Sequence, residues 1–153
     1  MMFKSRARFQ SRLYSDEDFY KSFHHDIQCA KRSVIIESPF ITNRRVMELL
    51  PDLIRLQKKG VKVVVNTKDP REYQSQMFGS AHKAILAMQS GGIFLLYTVG
   101  HHRKIAIIDN DILWEGSLDI LSRSDSCEIM RHIDSSLEVN QMLNFTGLAK
   151  FIR

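Results

Sequence analysis

Residues 102–119 read HRKIAIIDNDILWEGSLD. Two apolar runs flank the polar triplet Asp109-Asn110-Asp111, a pattern that predicts a β-hairpin with a tight turn. Side chains alternate along a strand, so a first strand over 102–108 would place His102 and Lys104 on one face, about 7 Å apart. An imidazole and an ammonium group would then lie side by side on a rigid element.

The predicted hairpin returns Gly116 and Ser117 to the start of its first strand. Gly116 permits two backbones to approach closely, and the Ser117 hydroxyl can donate to an oxyanion. A histidine nucleophile, a cation and a hydroxyl donor that converge form an arrangement suited to phosphate chemistry.

The rest of the chain alternates between helical and strand patterns. Ser15 is a predicted helix cap, and short β-branched runs bounded by Pro or Gly follow at intervals. Pro51 is expected to kink or divide the second helix. The predicted helices cover 16–30, 43–59, 81–89 and 136–143, and the further strands cover 33–38, 61–66, 93–99 and 128–133. This order predicts an α/β layered domain with a mostly parallel β-sheet flanked by helices.

A chain of 153 residues fits one domain. We expect residues 15–153 to form it and residues 1–14 to form a basic N-terminal arm, which could contact nucleic acid, remain solvated chain or mimic an organellar transit peptide. No apolar run is long enough to span a bilayer, and the N-terminus lacks a signal-peptide core, so we expect a cytoplasmic protein with no membrane contact. The basic residues of the arm are Lys4, Arg6, Arg8 and Arg12.

The composition excludes a disordered chain and favours an anionic partner. Hydrophobic residues make up 44% and charged residues 25%, and 22 Lys+Arg against 17 Asp+Glu give a net charge of +5. Much of that charge would also suit a solvated surface. The aromatic residues Phe19, Phe23 and Trp114 are expected in the core.

The cysteine and histidine patterns predict no metal site. Cys29 and Cys127 are far apart in the sequence and belong to no CxxC pair, so we expect buried, reduced thiols. The pair His24-His25 and His82 lack Cys or acidic partners at ligand spacing. No cofactor is expected.

The spacing H-x-K-x4-D-x6-G-S, from His102 to Ser117, resembles the HKD motif of the phospholipase D superfamily. The resemblance extends over roughly residues 15–140 and is most like the bacterial nuclease branch, whose chains carry one motif. It implies a phospholipase D-like fold with the motif on the hairpin.

The resemblance also implies roles for individual residues. His102 would attack phosphorus and form a covalent phosphohistidine, Lys104 would bind the non-bridging oxygens, and Ser117 would assist. Glu128 matches the glutamate that orients the nucleophilic histidine in this family. The remaining assignments are Arg103 and Asp119 as substrate-binding residues and Asp109 and Gly116 as structural residues of the motif.

One position departs from the family pattern. Asp119 stands two residues after the serine, where the family usually carries Asn. A carboxylate beside an anionic substrate weakens binding unless it is protonated or paired with Lys104 or Arg103. This departure predicts a weaker or specialised site.

A single motif implies a homodimer. One His102 cannot both attack phosphorus and protonate the departing oxygen in the same step, so a second copy of the chain would supply the second imidazole. The paired Lys104 side chains would provide the positive field that a metal supplies elsewhere.

The predicted function is therefore a metal-independent phosphodiesterase, a nuclease that cleaves DNA or RNA, with DNA favoured, and with a helicase or restriction-type domain among its expected partners. Two alternatives stay open. One is a phospholipid-directed phosphodiesterase or transferase, which would need an exposed apolar patch that the sequence does not clearly show. The other is a non-catalytic nucleic-acid-binding domain that keeps the fold.

Overall fold

A computed structural model describes residues 10–122 and 126–153 of the chain. The strands are β1 (Gln10–Ser15), β2 (Ser33–Glu37), β3 (Lys62–Lys68), β4 (Phe94–Thr98), β5 (Ile105–Ile108), β6 (Ile112–Gly116) and β7 (Ile129–Asp134). The α-helices are α1 (Asp16–Cys29), α2 (Asn43–Lys58), α3 (Ser75–Ser90) and α4 (Ser136–Thr146). Short 3₁₀ turns cover Pro70–Glu72 and Leu148–Phe151.

The strands form one mixed sheet in the order β1-β7-β6-β5-β2-β3-β4. The predicted α/β fold is confirmed, but the sheet is not mostly parallel: among the described strands, only the β2–β3 and β3–β4 pairs are parallel. The reason lies in the connections. Among the described helices, α2 and α3 alone provide crossovers between neighbouring strands, whereas the hairpin and the strand that follows it pair antiparallel.

Alternation along the central strands builds a core on each face of the sheet. Val34 and Ile36 pack with α1, α2 and α3, whereas Ile35 packs with Val139 and Leu143 of α4 on the opposite face. Both faces of β2 are buried, which explains why its sequence is a continuous apolar run and does not alternate with polar residues. The helices therefore lie in two layers around the sheet.

The predicted aromatic core is confirmed. Phe19, Phe23 and Trp114 are fully buried. The rings of Phe19 and Phe23 stack with centroids 5.0 Å apart, and Trp114 meets Phe19 edge-on at 5.0 Å. This cluster fixes α1 against β6.

The start of α1 follows the sequence pattern. Ser15 caps the helix by accepting a 3.3 Å hydrogen bond from the Asp18 N–H, and three acidic residues occupy the first turn. Pro51 lies inside α2, yet the helix is not divided and runs on to Lys58. Pro51 is exposed, so the missing backbone hydrogen bond faces solvent while Leu49, Leu50 and Leu53 keep the helix on the sheet.

The tip of the β5–β6 hairpin is the tight turn that the sequence predicts. Asp109 and Asn110 adopt left-handed backbone angles, with φ of 57° and 61°. The Asp109 carboxylate accepts hydrogen bonds from the N–H groups of Lys31 at 2.8 Å, Arg32 at 2.7 Å and Ser33 at 3.2 Å. It thereby binds the hairpin tip to the start of β2, which is a structural role.

The predicted N-terminal arm is in part a strand. Residues Gln10–Ser15 form β1 and pair antiparallel with β7 along the whole strand. Arg12 lies in this edge strand, whereas Lys4, Arg6 and Arg8 lie outside the described residues. Pairing with β7 stabilises a polar segment whose own sequence gives little strand signal.

The cysteines differ from the prediction. Cys29 and Cys127 are free thiols, as expected, but both are exposed rather than buried. Cys29 is the last residue of α1, and Cys127 precedes β7, so neither faces a core layer. In the described part of the chain, no helix combines the length and the apolar character that a membrane span requires.

Gly116 lies opposite Met130 in the antiparallel pair of β6 and β7, where there is no room for a side chain. A Cβ atom there would lie 2.9 Å from the Met130 Cα and 2.8 Å from the Met130 sulfur, and still closer to the Ile129 carbonyl oxygen. Two of these atoms belong to the backbone and cannot move aside cheaply. The close approach of the two strands therefore requires glycine at position 116.

We predict that Gly116→Ala lowers the free energy of unfolding by about 3 kcal/mol, the upper part of the range for overpacking. Urea denaturation measures it. The matched control is Gly79→Ala within α3, where a Cβ meets nothing within 4 Å and alanine should stabilise the helix by about 0.5–1 kcal/mol. Equal stability of Gly116→Ala and wild type would contradict the close approach.

Candidate active site

The segment 101–104 carries the candidate nucleophile and precedes β5. The alternating pattern predicts a strand that starts at His102, but the strand begins at Ile105. The predicted alternation nevertheless holds, because Arg103 contacts Glu37 while Lys104 contacts Asp119. Arg103 and Lys104 thus contact different carboxylates, and the placement of His102 on the same side as Lys104 stays a prediction.

Lys104 connects the candidate residues of the hairpin. Its ammonium nitrogen donates to the His102 carbonyl oxygen at 3.2 Å and lies 3.6 Å from Asp119 Oδ1. The backbone of Lys104 also accepts a 3.4 Å hydrogen bond from the Gly116 N–H, which joins the two strand ends as the hairpin geometry predicts. The lysine is largely enclosed, with 12% of its side chain exposed.

Asp119 is a carboxylate in an unfavourable environment. Its Oδ1 atom is buried and has no hydrogen-bond partner among the described residues, and the Lys104 ammonium lies 3.6 Å away as its ion-pair partner. Burial raises the pKa of Asp119, and the positive charges of Lys104 and His102 only partly oppose that shift. The protonated form of Asp119 is thus favoured relative to an ordinary aspartate.

Ser117 and Glu128 meet at the junction of β6 and β7. The Ser117 hydroxyl accepts a 3.1 Å hydrogen bond from the Ile129 N–H. Hydrogen bonds from Ser117 and Ser126 hold the pKa of Glu128 below its ordinary value, and Lys104 adds to the effect. Glu128 is therefore a charged neighbour of the cationic side chain; its role in orienting His102 stays a prediction.

The structure thus brings His102, Lys104, Ser117, Asp119 and Glu128 to one end of the hairpin. His102 itself is exposed. Asp109 lies at the opposite end of β5, away from this group, where it holds the turn. An exposed imidazole beside an enclosed ammonium group is suited to attack on a phosphate ester.

Arg103 is placed differently from its sequence-based assignment to the substrate. Its guanidinium donates to both oxygens of Glu37, at 2.9 Å each, in a bidentate pair. Glu37 is fully buried and also accepts a 2.7 Å hydrogen bond from Asn66. His101 lies against the same carboxylate, with its Nε2 atom 3.6 Å away.

Glu37 is not among the site residues that the sequence predicts. A signal was present, because an acid that ends an apolar β-branched run is unlike the rest of that run. A buried carboxylate requires a cationic or hydrogen-bonding partner. The partner could not be identified from sequence, since Arg103 is 66 positions away along the chain.

A groove of about 680 Å³ opens beside His102 and Lys104. Its walls come from β1, β7 and α4, and they expose large apolar side chains: Leu13 is 53% exposed, Ile129 58% and Phe145 81%. The sequence shows no clear apolar patch, because these residues are distant in the chain. Within residues 10–122 and 126–153, no group of three His, Cys, Asp or Glu side chains is placed to hold a metal ion.

Residues 23–145 match the family model described as cardiolipin synthase, PLD-like domain. The chain belongs to the phospholipase D superfamily. The resemblance noted in the sequence is therefore confirmed at the level of family and fold. No curated protein sequence matches this chain.

Several solved structures share the fold. Nuc from Salmonella typhimurium, a phospholipase D family member, superposes with a TM-score of 0.74 at 18% identity, over 90% of this chain and 91% of that one. NucT from Helicobacter pylori gives 0.68 at 17% identity, over 90% and 93% of the two chains. The phosphatidylserine synthase of Haemophilus influenzae gives 0.63 at 12% identity, over 92% of this chain but 39% of the synthase.

The Asp119 environment predicts how stability depends on pH. Because the pKa of Asp119 is raised in the folded protein, the folded state keeps a proton that the unfolded state has already lost. Protonated Asp119 therefore contributes to stability near pH 3.8, the ordinary pKa of aspartate. This contribution is lost as the pH rises through the raised pKa of Asp119 in the folded protein. Asp119→Asn should be more stable than wild type at neutral pH, and the difference should shrink as the pH falls.

Urea unfolding of both proteins across this pH range measures the effect, and the convergence at low pH serves as an internal control. An Asp119→Asn protein that is less stable than wild type at pH 7 would show that the ion pair with Lys104 outweighs burial.

Proposed function

We propose that this chain is a metal-independent phosphodiesterase, a nuclease that cleaves DNA in preference to RNA through a covalent phosphohistidine. The observation that carries the proposal is the convergence of exposed His102 with Lys104 and Ser117 at one end of the hairpin. Membership of the phospholipase D superfamily makes phosphodiester chemistry the first expectation for that arrangement.

The proposed reaction has two balanced steps. In the first, a neutral His102 nitrogen attacks phosphorus, the phosphorus–oxygen bond to the leaving group breaks, and that oxygen takes a proton from a second imidazole. In the second, this imidazole accepts a proton from water, the resulting hydroxide attacks phosphorus, and the bond to His102 breaks. Lys104 and Ser117 stabilise the negative oxygens in both steps.

The second imidazole comes, in this proposal, from another copy of the chain. Nuc and NucT are covered over more than nine-tenths of their lengths by this chain, so all three are of similar size. The surface around His102 is also suited to an interface, because the adjoining groove exposes Leu13, Ile129 and Phe145. A two-fold axis near His102 would bring the two rings together and cover these side chains.

Nucleic acid is the favoured substrate because of charge. The chain carries a net charge of +5, and Arg131 lines the groove beside Lys104. Repeated contacts of this kind with a phosphate backbone supply most of the affinity in sequence-independent binding. A cytoplasmic location and a helicase or restriction-type partner domain belong to the same proposal.

A nuclease assay in EDTA tests the chemistry. Activity should persist in the chelator, decrease steeply with salt, and fall more than about 10³-fold in His102→Ala. The control is His82→Ala, which removes an exposed histidine of α3 and should leave the rate unchanged. Full activity in His102→Ala would refute the proposed nucleophile.

Mixing wild-type and His102→Ala chains tests the shared site. After joint unfolding and refolding, activity should follow the square of the wild-type fraction, because both copies must contribute a histidine. A linear dependence would instead show that each chain works alone. Refolded His82→Ala mixed with wild type should give constant activity and controls for refolding losses.

The apolar groove favours a second candidate, a phospholipid-directed phosphodiesterase or transferase. Acyl chains would suit exposed Phe145 and Ile129 next to a phosphate-binding lysine. Vesicle flotation and release of lipid headgroups, with no cleavage of DNA, would select this function. Tight DNA binding with no cleavage of DNA or lipid would select a non-catalytic binding domain.

A further inference from the structure

The candidate nucleophile lies on a segment that the β-sheet does not hold directly. Residues 101–104 connect β4 to β5 and precede the first ladder residue, Ile105. The backbone of this segment is attached at its two ends, where the His101 N–H donates to the Thr98 carbonyl at 3.3 Å and Lys104 accepts from the Gly116 N–H. Between these ends, His102 depends on side-chain contacts for its direction.

Glu37 provides a rigid anchor beside this segment. It is the last residue of β2, a strand buried on both faces and paired with β3 on one side and β5 on the other. Its carboxylate is fully buried and accepts two hydrogen bonds from Arg103 and one from Asn66. Asn66 is itself fixed by a 2.8 Å hydrogen bond from Thr98 at the end of β4.

The contacts of this segment alternate from one residue to the next. His101 and Arg103 lie against the Glu37 carboxylate, whereas the Lys104 ammonium lies 3.6 Å from Asp119. Arg103 stands between the two candidate catalytic residues in sequence. A fixed Arg103 therefore limits the directions that its neighbours His102 and Lys104 can take.

We propose that Glu37 is a positioning residue that holds Arg103 and thereby directs His102 and Lys104 toward the phosphate. This inference rests on the proposed function, since it assigns the reacting groups to His102 and Lys104. Glu37 and Arg103 act through their neighbours and do not touch the scissile bond.

The geometry of the pair makes it specific to a carboxylate and a guanidinium. Two parallel hydrogen bonds fix the orientation of Arg103, which a lysine cannot reproduce because it offers a single ammonium group. Loss of either partner leaves a charge unpaired next to a buried position. His101 makes the weaker contact with Glu37, because its Nε2 atom lies 3.6 Å from the carboxylate and burial lowers the pKa of its ring.

The test compares Glu37→Gln and Arg103→Lys with wild type. Both substitutions preserve approximate size, and Arg103→Lys also preserves charge at a side chain that is 41% exposed, so it should fold. The matched control is Arg71→Gln, which breaks a bidentate arginine–carboxylate pair with Asp69 on a side chain that is 86% exposed. Urea unfolding verifies that each protein is folded.

We expect kcat for DNA cleavage to fall about 10–100-fold in Glu37→Gln and Arg103→Lys, with KM changed less than threefold, because misdirected groups slow the reaction more than they weaken binding. Arg71→Gln should match wild type. The double variant Glu37→Gln/Arg103→Lys should lose no more than the worse single variant, because the two residues act as one unit. Wild-type kcat in both single variants, or multiplied losses in the double variant, would overturn the proposal.

A second measurement does not depend on nuclease activity. The His102 ring signals in the NMR spectrum, assigned with His102→Ala, are followed while inorganic phosphate is added. In Glu37→Gln and Arg103→Lys these signals should be displaced, and their response to phosphate should be reduced, whereas in Arg71→Gln they should be unchanged. Unchanged signals in the first two variants would overturn the positioning role; displaced signals in a protein that cleaves no DNA would refute the nuclease function alone.

Discussion

The Asp109 carboxylate binds the tip of the hairpin to the start of β2, and the placement of the candidate site depends on this attachment. Three backbone N–H groups donate to this one side chain. They hold the end of β5, at Ile108, against the start of β2 and so set the register of the antiparallel pair. That pairing runs from Val34 opposite Ile108 to Glu37 opposite Ile105. The end of β2 is thereby brought to the segment that carries His102.

Most of the architecture could be predicted from local patterns. Ser15 and the acids after it predict the start of α1, and the apolar runs predict β2 and the hairpin, because each signal lies within a few residues. The direction of strand pairing depends on how segments assemble, and here the prediction of a mostly parallel sheet was wrong. β1 escaped prediction for the same reason, since only β7 makes its polar sequence a strand.

The candidate site could likewise be predicted only in part from the sequence. The spacing from His102 to Ser117 identifies the residues that converge, because a hairpin translates sequence distance into proximity. Glu37 and the groove were missed, since their partners lie far apart in the chain and only the folded sheet brings them together. Arg103 shows the limit most clearly: its assignment to the substrate stays a prediction, and only the folded sheet reveals that it binds the buried Glu37.

The pairing of β2 with β5 also explains the spacing between the lysine and the aspartate of the motif, which chemistry at the phosphate does not require. Four residues, Ile105 to Ile108, separate Lys104 from Asp109, and each of them has its own partner on β2. An insertion or deletion of one residue there would exchange the two faces of β5 and send its core side chains toward the wrong helices. The count between lysine and aspartate is thus set by the length of a strand.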